Sequence, residues 1–236
     1  MTGKYKIADM IIDINSIYSS IHTYCSDYSV DGPSCDFSVT ISQQDIDFEK
    51  GRGNDNNKYS DNYLETLAVY RKIAEKMPDY DTLLFHGSAV AVDEKCYLFT
   101  APSGTGKSTH ARLWREYLGD RAVMVNDDKP LIHVSENGST VYGTPWNGKH
   151  RLGNNIAVPL KAICLISRSA ENSIKQISPD EAYPILLAQT YRPYSMTGME
   201  KTLTLLDKLR KNTFFWKLEC NMDIKAAETS YNAMKG

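Results

Sequence analysis

Short apolar runs alternate with helical repeats over the last two thirds of the chain. Residues 82–92 and 95–100 have the apolar and β-branched composition of strands, and only Asp93 and Glu94 separate them. Two strands that close together predict a tight antiparallel hairpin. Further strands are predicted at residues 122–126, 131–134, 140–142, 162–167 and 214–219, and helices at residues 179–190, 198–211 and 222–234.

The first third of the chain has a different pattern. Residues 4–14 and 36–41 are typical of strands, whereas residues 43–62 are strongly polar and predict a loop that is mobile around residues 51–58. A helix capped by Asp61 or Asn62 should follow and end before Pro78. We therefore expect a small N-terminal α+β unit at residues 1–80 and a larger domain at residues 81–236.

Composition narrows the functional classes. The chain has 236 residues, with 27 basic and 29 acidic side chains and a net charge of −2, a balance that argues against a nucleic-acid or membrane-surface partner. Its five cysteines are scattered and never spaced as Cys-x-x-Cys, which favours reduced thiols over disulfides or a zinc site. No signal peptide or membrane span is evident, so we expect a soluble cytoplasmic protein.

A glycine loop follows the strand at residues 95–100 and carries the clearest chemical signal. A loop of this kind aims backbone N–H groups into one concavity, and the helix after it adds its positive end, so the pair can hold nucleotide phosphates. Lys107 can reach the β and γ phosphates, and the Ser108 hydroxyl can ligate Mg²⁺. Ala101 replaces the usual first glycine at the expense of one methyl group. The residues expected to contact the nucleotide are Ser103, Gly104, Thr105, Gly106, Lys107, Ser108 and Thr109.

Two adjacent carboxylates, Asp127 and Asp128, follow the predicted strand at residues 122–126. Proteins with a phosphate loop place a metal-binding acid at the end of such a strand, and two carboxylates can divide metal binding from proton transfer. The alternative is a polar turn before Lys129, because turns favour aspartate.

Two more segments are candidates for the site. His86 closes the strand pattern of residues 82–85, and by composition alone it is a structural histidine. Residues 143–153 form a glycine-rich loop that carries Trp146, Lys149 and Arg151. Such loops often bind ligands, although an ordinary surface loop with a buried tryptophan would have the same composition.

Together these pieces resemble the HPr kinase/phosphorylase family, whose catalytic domain shares its phosphate loop and sheet with phosphoenolpyruvate carboxykinases. The resemblance covers residues 83–167, from His86 through the hairpin and the loop to Asp127. It implies an α/β fold with a mixed, partly antiparallel sheet. It also implies that Asp127 is the catalytic proton acceptor, Lys107 the phosphate stabiliser, Ser108 a metal ligand and His86 an active-site residue. Asp128, the second of the two carboxylates, is then expected to bind the metal with Ser108.

The chain departs from that family at several points. Thr109 stands where the family usually has an acidic residue, and the family's later glutamate ligand has no counterpart that we can place. These departures bear on the substrate and on any reverse phosphorylase activity. Phosphoenolpyruvate carboxykinases are much longer chains, so that activity is set aside.

The expected function is that of a kinase that uses ATP (or GTP) and Mg²⁺ and transfers a phosphoryl group to a hydroxyl, most simply a serine of a protein or peptide. Lys149 and Arg151 are the candidate acceptor contacts. The alternatives are a kinase of a small metabolite, or a nucleotide-sensing module without turnover. Relatives of this kind often assemble, which leaves a homo-oligomer open.

Overall fold

The computed structural model describes residues 1–52, 58–148 and 150–236. The chain divides into two compact units, Met1–Lys76 and Met77–Gly236. Most of the loop predicted at residues 51–58 lies outside the described residues, and so does Lys149. None of the described helices is long and apolar enough to cross a bilayer.

The first unit contains a three-stranded sheet in the order β1-β2-β3. The single strand predicted at residues 4–14 is in fact an antiparallel hairpin, because Ala8 and Asp9 adopt positive φ angles of 50° and 64° and reverse the chain. Strand β3 pairs parallel to β2. The elements of this unit are β1 (Thr2–Ile7), β2 (Met10–Asn15), α1 (Ser20–Tyr24), β3 (Phe37–Thr40), α2 (Gln43–Gly51) and α3 (Asp61–Lys76).

Helix α2 lies where a polar loop was predicted, so that prediction is wrong for Gln43–Gly51. The carboxylate of Asp45 accepts a hydrogen bond from the Ser42 amide at 2.9 Å and stabilises the start of the helix. Glu49 is buried, and its carboxylate accepts a 2.6 Å hydrogen bond from Nε of Arg71 on α3, which offsets the cost of burying the charge. A polar sequence can thus pack when its buried charge is paired, which the hydrophobic pattern could not reveal.

The second unit is built on a nine-stranded mixed sheet, with the main order β4-β8-β9-β10-β6-β5-β7 and with β12 and β11 continuing from β10. The expectation of a mixed α/β fold is confirmed. The strands are β4 (Thr82–Leu84), β5 (Ser88–Val92), β6 (Lys95–Thr100), β7 (Ala122–Asn126), β8 (Leu131–Ser135), β9 (Gly138–Tyr142), β10 (Ala157–Arg168), β11 (Ser173–Ile177) and β12 (Phe214–Cys220). The helices are α4 (Lys107–Leu118), α5 (Pro179–Gln189), α6 (Met196–Lys211) and α7 (Ile224–Met234).

The predicted hairpin is present as β5 and β6, and its two turn residues have φ angles of 49° and 61°. The apolar run at residues 82–92, however, is two strands and not one. Strand β4 pairs with β8, whereas β5 pairs with β6 and β7. The chain crosses between these two places at residues 85–87, a change that composition does not mark. Strand β11 was also missed.

The two faces of this sheet pack against different helices. Along β6, Tyr97 and Phe99 join the cluster of α4 and α7, and Cys96 and Leu98 join the cluster of α5 and α6. This alternation follows from the two-residue period of a strand. A sheet covered on both faces leaves its strand ends as the open part of the unit.

Candidate functional site

One edge of the sheet gathers most of the predicted site residues. Strand β5 is antiparallel to both of its neighbours β6 and β7, so those two strands run in the same direction, and β10 is parallel to β6. The carboxyl ends of β6, β7 and β10 therefore meet at one edge, together with the start of β5. Ligands of α/β proteins bind at such edges.

The glycine loop (residues 101–106) leaves β6 at this edge and enters α4. Gly104 and Gly106 have φ angles of +76° and +126°, which residues with a Cβ rarely adopt. An ideal Cβ on either glycine would meet no heavy atom within 4 Å, so these glycines are required for backbone conformation and not for space. Ala101, by contrast, is buried in the apolar cluster of α4 and α7, where its methyl group packs against hydrophobic side chains.

Lys107 is the first residue of α4 and is only 8% exposed. Its Nζ donates hydrogen bonds to the carbonyl oxygens of Ala101 at 2.9 Å and Pro102 at 3.4 Å. Burial lowers the pKa of Lys107, while the negative charges of Asp128 and Asp127 act in the opposite direction. The ammonium group thus lies at the glycine loop and within the electrostatic field of both carboxylates.

The two carboxylates have different surroundings. Asp127 is 6% exposed, and its Oδ1 accepts a 2.9 Å hydrogen bond from the Ser88 hydroxyl at the start of β5. Asp128 is more open, and its Oδ1 lies 3.4 Å from Nε2 of His86 and 3.9 Å from Nζ of Lys129. A fixed, buried carboxylate therefore stands beside an accessible one.

His86 is held on both sides of its ring. Its Nδ1 lies 2.7 Å from Oε1 of Gln189, opposite the contact with Asp128. Gly87 allows the chain to approach β6, because a Cβ there would lie 2.9 Å from the carbonyl oxygen of Phe99. Burial lowers the pKa of His86 and the charges of Lys129 and Lys107 lower it further, while the charge of Asp128 and the hydrogen bond with Gln189 act in the opposite direction.

The described part of the loop at residues 143–153, which leaves out Lys149, folds against the same edge. An ideal Cβ on Gly148 would lie 3.1 Å from Oδ2 of Asp127, so the backbone of this loop borders that carboxylate. Trp146 is buried, with 6% exposure, as the alternative of a loop with a buried tryptophan predicted. The backbone amide of Arg151 donates to the carbonyl of Gly148 at 3.0 Å.

Asn126 connects this loop to the two aspartates and was missed by the sequence analysis. It is fully buried, and its Oδ1 accepts hydrogen bonds from the amides of Asp128 at 2.9 Å and Lys129 at 2.6 Å. Its Nδ2 donates to Oγ1 of Thr144 at 3.0 Å and lies 3.4 Å from the carbonyl oxygen of Trp146. An asparagine directly before the aspartates is the only signal that the sequence offers, since its partners in the loop, Thr144 and Trp146, lie 18 and 20 residues away.

Three other neighbours of the site could not be found from the sequence. Ser88 contacts Asp127, and Gln189 contacts His86. Arg168 contacts the glycine loop from the end of β10. Ser108 lies in the first turn of α4 and is exposed.

The fold and the site define a mixed α/β protein in which a glycine loop, a buried lysine, a histidine and two carboxylates share one sheet edge. The chain belongs to the family described as SynChlorMet cassette protein ScmC, whose family model matches residues 54–224. No curated protein has significant sequence similarity to it.

Among solved structures, the chain is similar to the Hpr(Ser) kinase/phosphatase from Coxiella burnetii. The match has 9% sequence identity and a TM-score of 0.36, and it covers 65% of this chain and 99% of that one. The relationship is therefore a distant structural one.

Proposed function

We propose that the protein is a kinase that transfers the γ-phosphoryl group of ATP or GTP to a hydroxyl, with a serine of a protein or peptide as the acceptor. The observation that carries the proposal is the convergence of Lys107, Asp127 and Asp128 beside the glycine loop. A cation at a phosphate cradle and carboxylates close enough to act on its charge are parts that phosphoryl transfer uses.

The glycine loop fits the phosphates of a nucleotide. The first amides of α4 have no acceptor within the helix, and open space lies in front of Gly104 and Gly106. Lys107 now donates to two loop carbonyls, and the same ammonium group can turn to phosphate oxygens. Anionic oxygens would thus replace the weaker carbonyl partners of this lysine.

Asp127 is the proton acceptor in this proposal. The hydrogen bond from Ser88 to Oδ1 fixes the orientation of the carboxylate, and Oδ2 lies at the border with Gly148. The acceptor oxygen forms a bond to the γ-phosphorus while the bond from that phosphorus to the nucleoside diphosphate oxygen breaks. The acceptor proton passes to Asp127.

Asp128 and Ser108 are the residues that would hold Mg²⁺, together with phosphate oxygens. Carboxylate and hydroxyl oxygens suit this ion, which usually keeps few protein ligands, and it would neutralise the β and γ oxygens. Nε2 of His86 lies 3.4 Å from Oδ1 of Asp128, so a proton on that nitrogen would orient the carboxylate.

The family description names a cassette protein, and the acceptor is sought first among products encoded in the same cassette. Arg151 and Lys149 remain the proposed acceptor contacts. Lys149 lies outside the described residues, but the loop that carries both borders Asp127 through Gly148.

The test is a titration with Mg²⁺-ATP and Mg²⁺-GTP, followed by assays of nucleotide consumption with candidate acceptors. We expect the wild-type protein to bind one of the nucleotides and Lys107→Ala to weaken binding at least tenfold or abolish turnover. Lys225→Ala, an exposed lysine on α7, is the matched control and should behave as wild type. Equal affinity and turnover in Lys107→Ala would contradict the proposal, and binding without turnover on any acceptor would leave a nucleotide-sensing module.

A further inference from the structure

Arg168 reaches the glycine loop from a different part of the sheet. It is the last residue of β10, and its guanidinium donates through Nε to the carbonyl oxygen of Thr105 at 3.2 Å and through Nη2 to that of Gly104. The two donors lie on one edge of a rigid planar group, and the two acceptors are consecutive carbonyls. Arginine therefore holds both with two separate nitrogens in a fixed planar geometry, which a lysine, with its single nitrogen, does not provide.

The backbone that carries Arg168 is fixed. The register of β10 places Leu165 beside Thr100, the last residue of β6, so three more residues of β10 extend past that strand alongside the loop. Arg168 itself pairs with Cys220 of β12. Three residues of a strand span about 10 Å, which carries the guanidinium to the loop from a rigid base.

In the described part of the chain, the Arg168 guanidinium makes no ion pair, and its hydrogen bonds go to the carbonyls of the glycine loop. The position of the Arg168 side chain is therefore not set by a surface ion pair, whereas Arg112 on α4 pairs with Glu116.

We propose that Arg168 is a positioning residue that prepares the glycine loop for phosphate binding. A carbonyl and the amide that follows it point in opposite directions in a trans peptide. Holding the carbonyls of Gly104 and Thr105 therefore directs the amides of Thr105 and Gly106 to the other side, where phosphate oxygens would bind; without a ligand the Thr105 amide donates to the carbonyl of Pro102 at 3.3 Å. The loop then needs less ordering when the ligand arrives, and less binding free energy is lost to it. The effect on nucleotide affinity rests on the proposed function, but the ordering of the loop does not.

The first experiment measures amide hydrogen exchange of the whole protein without nucleotide. In Arg168→Ala we expect exchange at residues 101–109 to accelerate about tenfold, while the middle of β10 and the C-terminal half of α4 exchange as in wild type. Unchanged exchange at residues 101–109 would overturn the proposal.

The second experiment measures the affinity for Mg²⁺-ATP of the wild type, Arg168→Ala, Arg168→Lys and the control Arg112→Ala. We expect binding about tenfold weaker in Arg168→Ala, intermediate in Arg168→Lys, which keeps the charge but not the planar pair of donor nitrogens, and unchanged in Arg112→Ala. Wild-type affinity in Arg168→Ala would overturn the role in binding. If the wild-type protein binds no nucleotide, the proposed function fails, and the exchange experiment alone decides whether Arg168 orders the loop.

Discussion

Asn126 offers the sharpest test of how the candidate site is held together. Its side chain accepts hydrogen bonds from the amides of Asp128 and Lys129, and donates to Thr144 and the carbonyl of Trp146, all from a fully buried position. In Asn126→Ala these partners lose their hydrogen bonds. A buried group without a partner costs about 1 to 3 kcal/mol.

The magnitude follows from which partners water can reach. Asp128 and Lys129 are half-buried and can regain water, and the Thr144 hydroxyl keeps its hydrogen bond to the carbonyl of Lys129 at 2.8 Å. We therefore expect Asn126→Ala to lower the free energy of unfolding by roughly 1 to 3 kcal/mol, the cost of removing one buried set of hydrogen bonds.

Asn126→Asp provides a second, pH-dependent readout. The substitution keeps Oδ1 but places a second carboxylate oxygen against the oxygens of Thr144 and Trp146. Burial and these neighbours should raise the folded-state pKa of the new carboxyl above the ordinary value of about 3.9. The folded variant then binds more protons than the unfolded chain, so it loses stability relative to wild type as pH rises, by up to about 1.4 kcal/mol per pH unit until the folded-state pKa is passed.

Urea unfolding followed by tryptophan fluorescence measures these effects in the second unit alone. All three tryptophans, Trp114, Trp146 and Trp216, lie within Met77–Gly236. The control is Asn137→Ala, an exposed asparagine in the turn between β8 and β9. If Asn126→Ala unfolds within about 0.5 kcal/mol of wild type, the hydrogen-bond argument is refuted.

Two further predictions follow from the charges of the second unit. Asp127→Asn should keep its affinity for the Mg²⁺-nucleotide but transfer phosphate about 10²-fold or more slowly, because the proton acceptor is gone. Asp128→Asn should instead raise the Mg²⁺ concentration that is needed for half-maximal activity. Full transfer by Asp127→Asn would show that the role assigned to Asp127 is wrong. Burial lowers the pKa of His110 to about 4. Because the unfolded chain binds this proton near pH 6.5, the second unit should lose roughly 3 kcal/mol between pH 6.5 and pH 4. In His110→Phe, the free energy of unfolding measured with urea should not show this loss between pH 6.5 and pH 4. If it fell with pH as much as in wild type, the burial argument would be contradicted.

Local sequence signals determined much of the second unit. The hairpin of β5 and β6, the glycine loop, the start of α4 and the strand before Asp127 are encoded in contiguous residues, and each is present. Turn chemistry and apolar periodicity act over a few residues, so these elements could be predicted without knowledge of the rest of the chain.

Tertiary structure decided which side chains meet. The contacts that sequence analysis missed join residues 18 to 64 positions apart. They are the pairing of β4 with β8, the hydrogen bond between Glu49 and Arg71, and the hydrogen bonds from Ser88, Asn126 and Arg168. Such contacts depend on strand order and register, which a local sequence pattern does not specify. The sequence by itself therefore determined the chemical groups of the candidate site, and the packing of the sheet determined how they are oriented and held.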